Sequence, residues 1–166
     1  MSQYLYKLKN LFVENAMKKY PNYPMDYIAT PKYNDTTANG LEKCIVDFLN
    51  LSGHQAERIK NMGRMLDNTK VVKDVMGITR TIGSKQYIKG TGTNGTSDIS
   101  STIKVTIGDK TFGLSVKWEV KIGKDRQSEA QKEYQVMIEE SGGIYHVVTS
   151  FDDFYNKYLL IVKNNH

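Results

Sequence analysis

Asp98, Glu119 and Lys121 combine two hard anionic carboxylates with an ammonium group. From Leu114 to Lys121 the chain alternates strictly: Leu114, Val116, Trp118 and Val120 fall on one face, Ser115, Lys117, Glu119 and Lys121 on the other. That is the period of a half-buried strand, so Glu119 and Lys121 point the same way, about 7 Å apart along the pleat. Carboxylates of this kind suit Mg²⁺ or Mn²⁺, which keep several waters and share their remaining positions with substrate phosphates. An ammonium beside such an ion can orient the attacking water and offset charge on a phosphorane-like transition state. The same Glu-x-Lys spacing also occurs on solvated strand faces with cross-strand ion pairing, so the surrounding elements must decide.

Those elements are legible on both sides. Asp98 follows the turn Gly95-Thr96-Ser97 and opens a strand through Ile99 and Ile103; a turn at Gly108-Asp109 folds it back on Leu114–Lys121 as a hairpin. After Lys121 comes the short basic loop Ile122-Gly123-Lys124-Asp125-Arg126, then Ser128 as N-cap of a helix whose buried face is Ala130, Tyr134, Met137 and Ile138. Gln131, in its first turn, either aims its amide at a water or phosphate near Lys121 or is a solvated helix residue. Gly142-Gly143 ends that helix, Ile144–Thr149 forms a buried strand with a structural His146, and Ser150 or Asp152 caps a last helix through Tyr155, Leu159 and Val162.

Upstream, residues 1–20 form an amphipathic helix with Leu5, Leu8, Leu11 and Phe12 on one side, followed by an extended connector through Pro21, Pro24 and Pro31. This helix either packs on the domain or serves as a dimer or DNA-contacting arm, with packing preferred. Asn34 to Thr37 cap a second helix that carries Leu41, Cys44, Ile45, Phe48 and Leu49 at helical spacing and ends at Gly53. Glu42 borders its apolar stripe, and is a surface glutamate or a carboxylate directed at the sheet. His54 reads as a turn residue, and a first strand is expected from His54 to Arg64. Between 65 and 94, Val71, Val72, Val75 and Met76 suggest a short helix and Tyr87-Ile88 a strand. The stretch Gly90 to Gly95 lacks a Walker lysine and reads as a flexible lip over the site.

The order of these elements resembles the PD-(D/E)xK nucleases, and within them the VRR-NUC group, found as stand-alone phage-type nucleases. Gly95-Thr96-Ser97-Asp98 is similar to the family's Gly-x-x-Asp, with Ser97 where many relatives have proline. Glu119-Val120-Lys121 matches Glu-x-Lys. Arg126-Gln127-Ser128 followed by Gln131 is similar to the family's Arg-x-Ser-x-x-Gln, and the family's glutamine role falls on Gln131 or Gln127. Gly142-Gly143-Ile144-Tyr145-His146-Val147-Val148 matches Gly-Gly-x-Tyr-x-Val-Val, and Glu42 stands where the family's first helix carries glutamate. The likeness covers roughly the last three-quarters of the chain, 36–166, and leaves 1–35 as a separate helix and connector.

The resemblance implies an α/β fold with a PD-(D/E)xK restriction-endonuclease-like core, a central mixed sheet flanked by helices. It implies a Mg²⁺- or Mn²⁺-dependent DNA endonuclease leaving 5′-phosphate and 3′-hydroxyl ends. Asp98, Glu119 and the backbone carbonyl of Val120 would hold the metal, with Lys121, Gln131 and Glu42 completing the catalytic set. Arg58, Lys60, Arg64, Lys117, Lys124 and Arg126 would meet nucleic acid. Stand-alone members work as homodimers, which suits branched DNA such as four-way junctions as well as duplex. A phage or prophage protein acting in the bacterial cytoplasm is implied.

Composition agrees with this reading and excludes others. At 166 residues the chain suits one domain with a real core. No apolar run approaches the ~20 residues of a membrane span. Met1-Ser2-Gln3-Tyr4 lacks a secretory pattern, and the lone cysteine, Cys44, reads as a core thiol; a soluble intracellular protein is expected. The net charge of +5 favours a polyanion, and Lys104, Lys110, Lys117, Lys121, Lys124, Arg126 and Lys132 surround the expected site. Two rival readings are a nuclease-fold DNA-binding module that does not cut, and a protein–protein adaptor using the first helix and the tyrosines.

Overall fold

In the computed structural model, residues 4–60, 63–88, 90 and 92–163 are described. The chain divides into two compact units, residues 1–59 with 95–166, and residues 60–94. The first is mixed α/β. Four helices, α1 (Leu5–Lys19), α2 (Ala38–Leu51), α3 (Glu129–Glu140) and α4 (Phe151–Lys163), accompany a four-stranded sheet. Its strands are β1 (Gln55–Arg58), β6 (Ile99–Ile107), β7 (Lys110–Val120) and β8 (Ile144–Val148), in the order β1-β6-β7-β8. β1, β6 and β7 are antiparallel and β8 runs parallel to β7, so the sheet is mixed. No helix among the described residues is long and apolar enough to cross a membrane.

The β6–β7 hairpin turns at Gly108, whose φ of 58° suits glycine, and the register pairs Ile99 with Trp118 and Ile107 with Lys110. One face of the sheet carries Val116, Trp118 and Val120 into a core shared with Leu41, Ile45 and Leu49 of α2 and Phe151 and Phe154 of α4. Trp118 and Phe154 meet edge to face at 4.8 Å. Ser101 fixes the indole from within the sheet: its hydroxyl donates to the Val116 carbonyl and accepts the Trp118 Nε1–H, both at 2.9 Å. Cys44 is fully buried in this core and its thiol is pushed up to about 11 by burial. Leu5 and Leu8 of α1 join the same core, so the first helix packs on the domain.

Several local expectations need correction. β1 is short and does not run on to Arg64; Asn61 and Met62 in that expected strand lie outside the described residues. A 3-10 turn over Met25–Tyr27 interrupts the extended connector. No residue of α3 is buried, and Met137, expected in its packed face, is 47% exposed. Ser150, rather than Asp152, caps α4: its Oγ accepts the Asp153 N–H at 3.1 Å, while Asp152 takes the N–H of Tyr4.

The second unit holds β2 (Arg64–Asp67), β3 (Lys70–Lys73), β4 (Thr79–Ile82) and β5 (Lys85–Ile88). β3 pairs with β4 and β2 with β5, both antiparallel, so two short ladders nest along one hairpin. The helix expected near Val71 is therefore a strand. β-branched Val71-Val72 favours the extended state, and Asp74 closes a tight turn by accepting the Met76 and Ile78 N–H groups at 3.0 and 2.9 Å. Thr91, in the glycine-rich stretch expected to form a lip, lies outside the described residues.

Candidate active site

The β6–β7 register places Asp98 one position past the Ile99–Trp118 pair, opposite Glu119. There the Asp98 Oδ2 accepts the backbone N–H of Val120 at 2.8 Å, while the Asp98 carbonyl accepts the N–H of Ile59 at 2.8 Å. Both ends of the aspartate are thus tied to the sheet. The preceding turn presses Gly95 so closely on α3 that a Cβ would stand 2.1 Å from the Ala130 carbonyl oxygen, and its φ of 74° also demands glycine. That approach brings the turn leading to Asp98 against the start of the helix carrying Gln131.

Glu119 lies on the sheet face opposite Trp118 and is only 1% exposed, so it is no solvated face residue. Its carboxylate is surrounded. Oε1 accepts from Lys121 Nζ at 3.0 Å and from Gln131 Nε2 at 2.5 Å, and Oε2 accepts from the Tyr145 hydroxyl at 3.3 Å. Burial raises its pKa above the usual glutamate value, and the nearby negative charge of Asp98 raises it further. Lys121, at 11% side-chain exposure, bridges Glu119 and Asp125, the latter at 3.3 Å. Burial disfavours its ammonium, but the pairs with Glu119 and Asp125 outweigh this and raise its pKa, so the lysine is held charged.

Gln131 is neither a solvated helix residue nor directed at open space. Ser128 and Gln131 form a reciprocal capping box: Ser128 Oγ accepts the Gln131 N–H at 3.3 Å and Gln131 Oε1 accepts the Ser128 N–H at 2.9 Å. With its oxygen held by the cap, the amide nitrogen is free to donate to Glu119. Gln127 instead donates to Gln135 at 3.0 Å and lies beside the Tyr145 hydroxyl.

Glu42 is 8% exposed and forms an ion pair with Arg58, which also donates to Asn39 Oδ1 at 2.7 Å. Since Arg58 stands opposite Ile99 in the sheet, this pair links α2 to the strand beside Asp98. Lys117 donates to Ser100 Oγ at 2.6 Å on the β6–β7 ladder. Lys124 and Arg126 are exposed in the loop after β7, with the Arg126 guanidinium donating to the Asp125 carbonyl at 3.0 Å. Lys60 and Arg64 are exposed residues of the second unit.

Two residues without an assigned role in the sequence join the cluster. Tyr145 donates to Glu119, and its phenol pKa is raised by burial and by that carboxylate. Its register opposite Lys117 in β8 was readable only once the parallel pairing was known. Asp125, the second partner of Lys121, is signalled faintly by its place four residues on.

Among the described residues no group of three or more His, Cys, Asp or Glu side chains is arranged to hold a metal. The Asp98–Glu119 pair offers a smaller set: two carboxylates on facing positions, close enough that one destabilises the charge of the other. Hard oxygens in that relation fit a Mg²⁺-like ion, which takes only one or two carboxylates from protein. No family model matches the chain, and neither curated proteins nor solved structures gave a match.

Proposed function

We propose that this chain is a divalent-metal-dependent DNA endonuclease of the VRR-NUC type within the PD-(D/E)xK fold. The observation that supports it best is the bonded cluster of Glu119, Lys121 and Gln131, with Asp98 facing it across the hairpin. The motif match had singled out these four residues from separate parts of the chain, and a buried carboxylate beside a second one needs a reason.

In this reading Asp98, Glu119 and the Val120 carbonyl hold Mg²⁺ or Mn²⁺. The chemistry the ion supplies when bound is polarisation of the scissile phosphate and acidification of a water. Lys121, kept charged by its two carboxylate partners, positions the attacking water and offsets charge on the transition state. Gln131 and Tyr145 fix the orientation of Glu119. Glu42, paired with Arg58, stands as outer support. Branched DNA such as four-way junctions is the substrate class, cut by a homodimer, in a phage or prophage setting.

The test is cleavage of a labelled four-way junction, with duplex and single strand of the same sequence, in Mg²⁺, Mn²⁺ and EDTA. Wild type should cut only with metal; Glu119→Gln should lose cutting, and Lys121→Ala should lose it while binding DNA within about threefold of wild type. Binding without cutting in any metal would assign a non-cutting DNA-binding module instead. Undiminished cutting by Glu119→Gln would remove this site from the reaction.

A further inference from the structure

Residues 60–94 carry seven basic residues and two acidic ones, whereas the rest of the chain has sixteen of each. The rest of the chain is therefore neutral in sum, and the whole net charge of +5 equals that of this segment. Its two acids are already engaged. Asp67 accepts the Thr69 N–H and hydroxyl at 3.0 and 2.6 Å and pairs with Lys85 at 3.1 Å. Asp74 closes the hairpin turn and pairs with Arg80 at 3.6 Å. Lys60, Arg64, Lys70 and Lys73 have no acidic partner among the described residues.

The four strands form a ribbon rather than a layer. The Asn68 N–H donates to the Ser84 carbonyl at 3.1 Å, joining the β2–β5 ladder to the β3–β4 ladder. Gly83 permits this junction: its φ is 98°, and a Cβ would stand 2.2 Å from the Asn68 carbonyl oxygen. Ten residues a side would span about 30 Å if run straight. Every residue of these strands is exposed. Alternation puts Lys70 on one face of the β3–β4 ladder and Lys73 on the other, so both faces are cationic. At the tip Val75 and Met76 are almost wholly exposed.

A bare two-stranded ribbon is marginal in water and needs a surface to lie on. A second copy is a poor candidate, because two ribbons that each carry five basic residues against two acidic ones over 64–88 repel one another. A duplex major groove admits a two-stranded ribbon and flanks it with phosphates on both sides. We infer that residues 64–88 are a duplex-DNA-binding arm, its lysines and arginines meeting phosphates along a groove and the Val75–Met76 tip making apolar contact with the base steps. The choice of partner rests on the nucleic-acid reading above but not on cleavage.

The test is fluorescence anisotropy of a labelled 30-base-pair duplex with the full chain in EDTA, across a salt series. Lys70→Gln with Lys73→Gln should weaken binding at least tenfold near 0.1 M salt. It should also flatten the slope of log affinity against log salt by about 1.8, since each phosphate contact contributes about 0.9. Removing two exposed lysines elsewhere, Lys18→Gln with Lys32→Gln, changes net charge equally and should cost less than about twofold. Val75→Ser with Met76→Ser should weaken binding severalfold with an unchanged slope. Circular dichroism must show wild-type spectra for all variants.

Equal losses in both lysine pairs, or no loss in the ribbon pair, would overturn the inference. So would loss of self-association in the tip variant with DNA affinity intact, which would give the ribbon to a second copy. Because no metal is present, failure here leaves the Glu119→Gln cleavage test standing.

Discussion

Gln131→Ala tests whether the helix following the hairpin builds the site or merely lies near it. The side chain makes two bonds: its oxygen accepts the Ser128 N–H at 2.9 Å, and its nitrogen donates to Glu119 at 2.5 Å. Loss of half a capping box costs about 0.5–1 kcal/mol. A bond to an ionised carboxylate is worth about 1.5–3 kcal/mol, and the lower end applies because Gln131 is itself part-exposed. The sum is about 2 kcal/mol, which in a chain of this size lowers Tm by roughly 4–8 °C. Gln127→Ala removes a neutral pair with Gln135, about 0.5–1 kcal/mol, and should lower Tm by no more than about 4 °C.

A positioning role predicts more than instability. Well below Tm, Gln131→Ala should cut about 10–100-fold more slowly and need more Mg²⁺ for half-maximal rate, because Glu119 is no longer held. Calorimetry gives the first number and initial rates over a Mg²⁺ series the second. If Gln131→Ala melts within about 1 °C of wild type and keeps its Mg²⁺ dependence, the assignment fails. A larger effect from Gln127→Ala would move the role to that residue.

Ser101→Ala should destabilise by about 1–3 kcal/mol in urea, since it strands the buried Trp118 indole N–H; a loss under about 0.5 kcal/mol would show that the indole finds another acceptor. His54 bridges β6 and α4, its Nδ1 accepting the Lys104 N–H at 3.1 Å and its Nε2 pairing with the Tyr158 hydroxyl at 2.9 Å. Burial, then the charge of Lys104, lowers its pKa below that of the unfolded chain, and burial with Lys157 lowers His146 similarly. Below about pH 6.5 the unfolded chain therefore takes up protons first, so stability is full above that value and falls as pH drops through it. Chemical denaturation from pH 7.5 to 5.5 should show the decline, and His54→Gln should reduce it; a flat profile would refute the point.

Local patterns determined much of the first unit. Period-two alternation from Leu114 to Val120, turn chemistry at Gly108 and the Ser128 cap are short-range signals, and each element they predict is present. Spacing left Asp98, Glu119, Lys121 and Gln131 open to a bland reading; the resemblance to the PD-(D/E)xK motifs singled them out, and the fold brings Lys121 and Gln131 onto Glu119 with Asp98 opposite. Alternation could not say that the Glu119 face is covered. It left a solvated face as one alternative, and only the placement of α3 and of Tyr145 on the parallel strand β8 buries the carboxylate.

Tyr87-Ile88 is legible as a strand and lies in β5, but the same limit explains why a helix is expected near Val71 and why the segment holding most of the net charge is not picked out. A hairpin is held by pairs such as Lys70 with Ile82, twelve positions apart, and no helical or strand period within either segment encodes them. Tallying lysines near Glu119 missed that Asp125 and Glu119 neutralise Lys121, since pairing depends on distance in space. The sequence by itself determined which residues could do chemistry and the type of most elements that carry them. Only the tertiary structure decided which charges cancel, which carboxylate leaves water, and which segment stands as a cationic ribbon, because burial and Coulomb energy depend on neighbours that the chain order does not specify.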